Sequence, residues 1–301
     1  MSVPELKLGV VGLDGHGPVF ISLLNGSDCP VPDLRVTAAM PVPSVMVPKR
    51  QLAENIKAVA GSGVCITEDA AKLAAEVDGI LILHDDGSKH YELAKLFADK
   101  GKPLFIDKPL EADTAAAAEL VRLCRRYDCP VFSASCLRFS AEVEAAIEDD
   151  KGGAILSAMA YSPYMESPTM PGWIYYGIHA MEPLYRLMGP GCKEVRCTMQ
   201  QQGPVAVGTW DDGRTGIARA VRGGEHGYGF IVWKERTTVT AALSVDNVGT
   251  RVYLELLKRI KNFFRTGIAP VPLEESLEVI AFMEAANASI EQDGRRVRIC
   301  W

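Results

Sequence analysis

Among its eight cysteines the 301-residue chain has no C-x-x-C pair, and it contains no G-x-S-x-G turn and no internal repeat. It also lacks any apolar run approaching the roughly 18 residues of a membrane span. Each absence removes a class. Without paired spacing the cysteines make neither a zinc finger nor a disulfide frame. Cys29, Cys65, Cys124, Cys129, Cys136, Cys192, Cys197 and Cys300 read as small hydrophobes of a reducing compartment. Without the serine elbow, acyl transfer loses its usual signature. Basic charge is short as well: 32 Lys and Arg against 38 Asp and Glu leave a net charge of −6. That excludes the electropositive footprint of a nucleic-acid binder. The run Arg251, Lys258, Arg259, Lys261, Arg265 reads as a solvated helix face. The opening "MSVPELKLGVVG" enters a strand with no apolar signal region, so export is not expected and the cytoplasm is the default.

What remains is an ordinary folded composition, 48% hydrophobic and 23% charged, with length for two domains. Over the first 136 residues continuous apolar runs alternate with amphipathic ones. Strands are expected at Leu6–Gly12, Leu34–Met40, Val64–Thr67, 79–85, 103–107 and 130–135, with helices between them. Strands that are apolar throughout imply a parallel sheet covered on both faces. After Arg138 come a helix, a strand at Ala154–Ser162, the irregular "PYMESPTMPGWIYY" and a helix from Gly177 to Met188. Five consecutive strand-like runs and two helices, near 248–265 and 273–290, follow. The expected fold is therefore α/β: a doubly wound parallel domain at 1–137, then an α+β domain at 138–301 with an open, mostly antiparallel sheet.

In such sheets ligands bind beyond the carboxyl ends of the strands. That edge collects Gly12–Gly17, His84–Asp86, Asp107–Pro109 and Cys136–Arg138. "VVGLDGHG" (10–17) follows a strand and opens a helix, the context of a dinucleotide-binding turn. Gly12 suits the tight turn and Gly17 the close helix–strand approach. The middle glycine is replaced by Asp14. Either its charge confronts a phosphate, or it caps the helix and takes the anion position itself. The second strand ends on Met40 and Pro41, without the acid that usually binds the adenosine ribose.

The stretch "GKPLFIDKPL" (101–110) ends a buried strand on Asp107-Lys108-Pro109. With "KHYELAKLFADKGKP", "VFSASCLRFSAEV" and "YYGIHAMEPLYRLMGPG", it resembles the glucose–fructose oxidoreductase / inositol dehydrogenase family across essentially the whole chain. That resemblance implies NAD or NADP as cofactor, Lys108 between nicotinamide ribose and substrate, a cis bond at Pro109, and His179 as the catalytic histidine. It departs from the family at Asp14, at Met40, at Tyr175 where an aspartate is usual, and at Glu182. Candidate cofactor contacts are Gly12, Asp14, Gly15, Gly17, His84, Asp85, Asp107, Lys108, Pro109 and Arg138.

Oxidising a secondary alcohol needs a proton acceptor and a group for the developing alkoxide. His179 suits the first role and Lys108 the second, with Tyr175 one helical turn from His179. Lys108, Tyr161, Trp173, Tyr176 and His179 are candidate substrate contacts, the aromatics offering flat faces to a sugar-like or polyhydroxylated molecule. His84, Asp85 and Asp86 are consecutive and poorly spaced to converge on an ion, so no metal is expected. The expected function is an NAD(P)-dependent oxidoreductase. The alternative is a catalytically silent ligand-binding or regulatory relative that has lost the nucleotide. An open sheet face predicts a homodimer or homotetramer.

Overall fold

The structure is a computed structural model and describes residues 4–223, 227–243 and 250–301. Thirteen strands and ten helices are assigned among the described residues, in two compact units. The first unit takes the chain to Glu111 and Ala115–Ala134. Its elements are β1 (Leu6–Val11), α1 (His16–Asn25), β2 (Leu34–Met40), α2 (Lys49–Gly61), β3 (Cys65–Ile66) and α3 (Ala70–Glu76). Then come β4 (Gly79–Ile82), α4 (His90–Lys95), β5 (Leu104–Ile106), α5 (Thr114–Arg126) and β6 (Val131–Ser133). All six strands are parallel, in the order β3-β2-β1-β4-β5-β6. This doubly wound order reverses between β1 and β4, which opens a crevice at their carboxyl ends. Ile80, Leu81, Ile82, Leu104, Phe105 and Ile106 are all fully buried, as strands with both faces covered require.

The second unit carries α6 (Ala141–Glu148), β7 (Ile155–Pro163), α7 (Trp173–Tyr176), α8 (Ile178–Met188), β8 (Cys192–Gln200) and β9 (Gly203–Trp210). It continues with β10 (Thr215–Val221), β11 (Tyr228–Lys234) and β12 (Thr238–Leu243). Helix α9 (Thr250–Thr266) intervenes before α10 (Leu273–Glu291) and β13 (Val297–Arg298). Its sheet runs β12-β11-β7-β10-β9-β8-β13, antiparallel except for the β7–β10 pair. Buried positions alternate with half-buried ones along β7, β9 and β10. The covered face is made of small residues, Ala158, Ala160, Ala206, Gly208, Ala218 and Ala220, which let α8 and α10 lie close. On the other face Ile231, Met159, Ile217 and Val207 stand side by side across four strands, all half-buried.

The two units do not follow one cut in the chain. Helix α9 lies within the span expected for the second domain, 138–301, yet it belongs to the first unit, which also reaches Leu273. Its apolar positions Leu256, Leu257, Ile260, Phe263 and Phe264 recur at helical spacing and are buried. The Phe263 ring meets Phe132 at 4.9 Å, and Phe264 lies against Gly79, where a Cβ would come within 2.9 Å. The basic face expected to be solvated also fastens the helix: Lys261 and Arg265 pair with Asp33 at 2.7 and 2.8 Å. Lys258, on Glu255, keeps to an exposed local pair. The start expected near 248 and the Arg251 side chain lie outside what is described.

Candidate functional site

In the first unit the carboxyl ends of β1, β4 and β5 bring five charged or titratable groups together. The backbone turns sharply at Gly12, with φ +94°; a Cβ there would sit 2.7 Å from the His84 backbone. A Cβ at Gly17 would fall 2.1 Å from the Gly12 carbonyl oxygen. Both glycines are therefore demanded by the close packing of β1, α1 and β4.

Asp14 does not cap α1. The N-cap is Gly15, with no side-chain cap bond, and the Asp14 carboxylate turns to the end of β4. There it accepts the Asp85 N–H, its two oxygens at 3.3 and 3.2 Å, and lies 3.6 Å from His84 Nε2. The helix terminus is met by Asp85 instead, whose Oδ1 accepts the His16 N–H at 3.3 Å. A Cβ on Gly15 would come 1.9 Å from Asp85 Oδ2, so the absence of a side chain at 15 is what admits the carboxylate.

His84, a candidate cofactor contact, is buried and internally satisfied. Its Nδ1 accepts the Asp86 N–H at 3.1 Å, which leaves the proton on Nε2 to be donated to the Pro43 carbonyl at 3.1 Å. It shapes the strand end and offers no side-chain face to a ligand. His90 is buried too, its ring nitrogens 2.8 Å from the carbonyl oxygens of Pro109 and His84, of which a neutral ring donates to one. Burial pushes the His90 pKa down. The Lys108–Pro109 peptide is cis, as the family resemblance implied. Lys108 is buried, at 6% exposure.

Sequence reading missed His16, which occupies a variable position of the glycine turn. Its Nδ1 lies 2.6 Å from Asp107 Oδ2. Burial opposes the imidazolium, but the Asp107 carboxylate outweighs it and the His16 pKa is raised. Asp107 answers in kind: burial pushes it up, while His16 and Lys108 outweigh that and hold it well below the usual carboxylate range. For Asp85 burial dominates, with Asp14 and Asp107 adding to it against His16 and Lys108, and its pKa is raised. His16, Asp85 and Asp107 each bring one ligand-type atom within 4.8 Å of the others. The hydrogen bond already joining His16 to Asp107 makes this an ion-pair cluster.

In the second unit His179 opens α8 at 8% exposure. Ser135, also missed by sequence reading, places its Oγ 3.0 Å from His179 Nδ1. Tyr176 and Tyr228 pack edge-on against the imidazole at 4.9 and 5.5 Å, and their hydroxyls meet at 3.2 Å. Tyr175 meets Tyr176 ring to ring at 5.5 Å, and α7 ends before Gly177 with α8 starting anew.

Three expected contacts are corrected here. Trp173 is fully buried, its indole donating to Cys197 Sγ at 3.2 Å and its backbone N–H to Asn287; it is core, not ligand surface. Tyr161 lies on the uncovered sheet face, its hydroxyl over Gly229, while its neighbours Ala160 and Ser162 face α8; strand alternation puts it opposite His179. Arg138 is buried between Glu182, at 3.0 Å, and Glu275, so its guanidinium braces the second unit. Burial opposes its charge, but those two carboxylates hold its pKa up.

A parallel sheet reversing at β1/β4, with a glycine turn opening the next helix, defines a dinucleotide-binding α/β unit. Residues 6–135 match the model of the GFO/IDH/MocA oxidoreductase family, NAD-binding Rossmann fold. Solved structures agree with the fold along the whole chain. Scyllo-inositol dehydrogenase from Lactobacillus casei, solved with NAD(H) and scyllo-inositol, is 17% identical, with a TM-score of 0.80 over 98% of this chain and 99% of its own. A myo-inositol dehydrogenase from Corynebacterium glutamicum is 14% identical, with a TM-score of 0.80 over 99% of each chain. GenD2 from gentamicin A biosynthesis, in complex with NAD, is 16% identical, with a TM-score of 0.81 over 100% of this chain and 98% of its own. No curated protein sequence matches the chain.

The turn keeps the backbone of a dinucleotide site: Gly12 in its positive-φ conformation, a close β1–α1 approach at Gly17, and a helix N-terminus at the strand switch point. These features fit the group. To them the chain adds a carboxylate of its own, Asp85, at that terminus.

Proposed function

We propose that this protein is an NAD(P)-dependent oxidoreductase acting on a CH–OH group of a sugar-like or polyhydroxylated small molecule. The observation that carries the reading is the coincidence of the family match over 6–135 with a sheet that reverses at β1/β4 and a glycine turn at that point. The polyol class is supported by the inositol and NAD(H) bound to the Lactobacillus casei neighbour.

The dinucleotide, when bound, supplies the hydride acceptor. Gly12, Gly15 and Gly17 shape its turn, and Asp107, Lys108 and Pro109 close the neighbouring strand end. Lys108, buried and next to an anionic Asp107, is proposed to steady the alkoxide that develops as the substrate loses its proton. His179 is proposed as the acceptor of that proton, its ring held by Ser135 and walled by Tyr176 and Tyr228. Tyr175, ring to ring with Tyr176, is proposed to donate a hydrogen bond or relay a proton beside them. The half-buried apolar row on the uncovered sheet face supports a homodimer or homotetramer through that face. Cysteines without paired spacing support a cytoplasmic setting, and among the described residues no helix is long and apolar enough to cross a membrane.

Calorimetry and thermal shift with NAD(H) and NADP(H), followed by a panel of polyols and sugars with spectroscopic readout of reduced cofactor, test the reading. Expected are binding of one dinucleotide and oxidation of at least one polyol. Absence of both at millimolar cofactor overturns it in favour of the silent ligand-binding relative.

A further inference from the structure

We infer that Asp85 is a built-in competitor for the dinucleotide's pyrophosphate, so that a proton is taken up at Asp85 when a dinucleotide binds. This rests on the reading that the first unit binds a dinucleotide. The N-terminus of a helix after a glycine turn is where an anion settles, because backbone N–H groups point out of it unpaired. In α1 that place is taken. Asp85 accepts the His16 N–H, and its carboxylate lies against the bare Cα of Gly15. Its backbone is pinned by the Asp14 carboxylate, whose two oxygens both face the Asp85 N–H. The helix has no side-chain cap at Gly15 and no acid in its own first turn, so Asp85, 69 residues away along the chain, stands in for both.

Asp85 is faced by Asp14 from the glycine turn, by His16 from α1, and by Asp107 and Lys108 from the end of β5. The two carboxylates disfavour its charge, while the imidazole and ammonium favour it. Burial adds to the first side, and the balance already raises its pKa. An arriving pyrophosphate brings further negative charge to the same N–H groups. It either drives the carboxylate away or binds its neutral form, and the second route needs only a proton. The sign follows. Binding raises the Asp85 pKa further, so affinity falls as pH rises above the free-state value and levels off once the bound-state value is passed.

The test is calorimetry of NADH with the full chain between about pH 6 and about pH 8, repeated in buffers of different ionisation enthalpy, which counts protons taken up. One proton per dinucleotide is expected in the sloping range, with Kd rising up to about tenfold per pH unit. In Asp85→Asn an amide oxygen remains to accept the His16 N–H. That variant should bind with no proton uptake, a flat pH profile and higher affinity than wild type at the alkaline end. Asp85→Ser replaces it if the asparagine variant fails to melt cooperatively. Wild-type binding without proton uptake overturns the inference, as does uptake that survives in the variant. Binding that needs a divalent cation and ignores pH overturns it too, because a metal would then be neutralising the acid. Binding by the variant alone supports it in its strongest form. If neither protein binds at any pH, the dinucleotide reading itself falls, and this inference with it.

Discussion

Each unit buries a cluster of opposed charges. In the second unit one guanidinium, Arg138, lies between Glu182 and Glu275, within 5% to 11% side-chain exposure. In the first, Asp14, Asp85 and Asp107 face His16 and Lys108, and two of the five, His16 and Asp85, stay partly open to solvent. The Arg138 cluster sets a guanidinium, its charge held against burial by Glu182 and Glu275, between those two carboxylates, and serves as a brace. The cluster around Asp85 has a His and two carboxylates whose pKa values are displaced in different directions, so it can change charge when something arrives. A function-bearing cluster is distinguished by being able to rearrange, not by how much charge it buries.

That contrast breaks most sharply at Arg138. Arg138→Ala leaves two buried carboxylates unpaired, and chemical denaturation should show a loss of about 3–5 kcal/mol. A change under about 1 kcal/mol would mean that the triad is no brace. Lys108→Ala should instead show mainly in turnover, which should fall by about 10²–10³ in a variant that still melts cooperatively, the cost of losing a charge needed mainly in the transition state. Lys108→Arg should rescue poorly, because a planar fork does not replace a compact ammonium in a tight place. Once a substrate is known, an alanine variant with most of its activity would remove Lys108 from the chemistry.

A smaller, graded effect is expected from the His16–Asp107 pair. The raised His16 pKa contributes stability that is fully present below its ordinary value of 6.5 and is lost as pH rises through the folded value. The depressed Asp107 pKa contributes stability present above its ordinary 3.8 and lost as pH falls. Melting temperature should therefore peak between those values and decline on both sides, and His16→Gln should flatten the alkaline limb. An unchanged alkaline limb in that variant would assign the decline to other groups. Smallest of all, Arg50→Ala removes an exposed i,i+4 pair with Glu54 and should shift stability by less than about 0.5 kcal/mol.

The parallel sheet was legible because its strands are apolar throughout and its helices amphipathic; β1, β2 and β4 begin where the runs begin. Lys108 and His179 were singled out through motifs, and their roles belong to the proposal. What escaped was set by tertiary pairing. Asp85 meets the helix terminus from 69 residues away, and no local pattern distinguishes that from a solvent-facing acid. Ser135 meets His179 across 44 residues. Trp173 looked like ligand surface because it follows an irregular, proline-rich stretch, whereas Cys197 and Asn287 draw it into the core. The face of Tyr161 could have been read from the alternation of Ala158, Ala160 and Ser162 along β7.

The return of α9 to the first unit has a consequence for how the chain is made. β6 ends at Ser133 and α9 begins at Thr250, so at ordinary rates of synthesis the nascent sheet waits on the order of ten seconds for the helix that covers Phe132 and Gly79. During that interval an apolar flank of the nucleotide-binding half is bare on the ribosome. The N-terminal half expressed alone would keep that flank bare permanently, and a soluble nucleotide-binding fragment should require α9 to be grafted back through a linker.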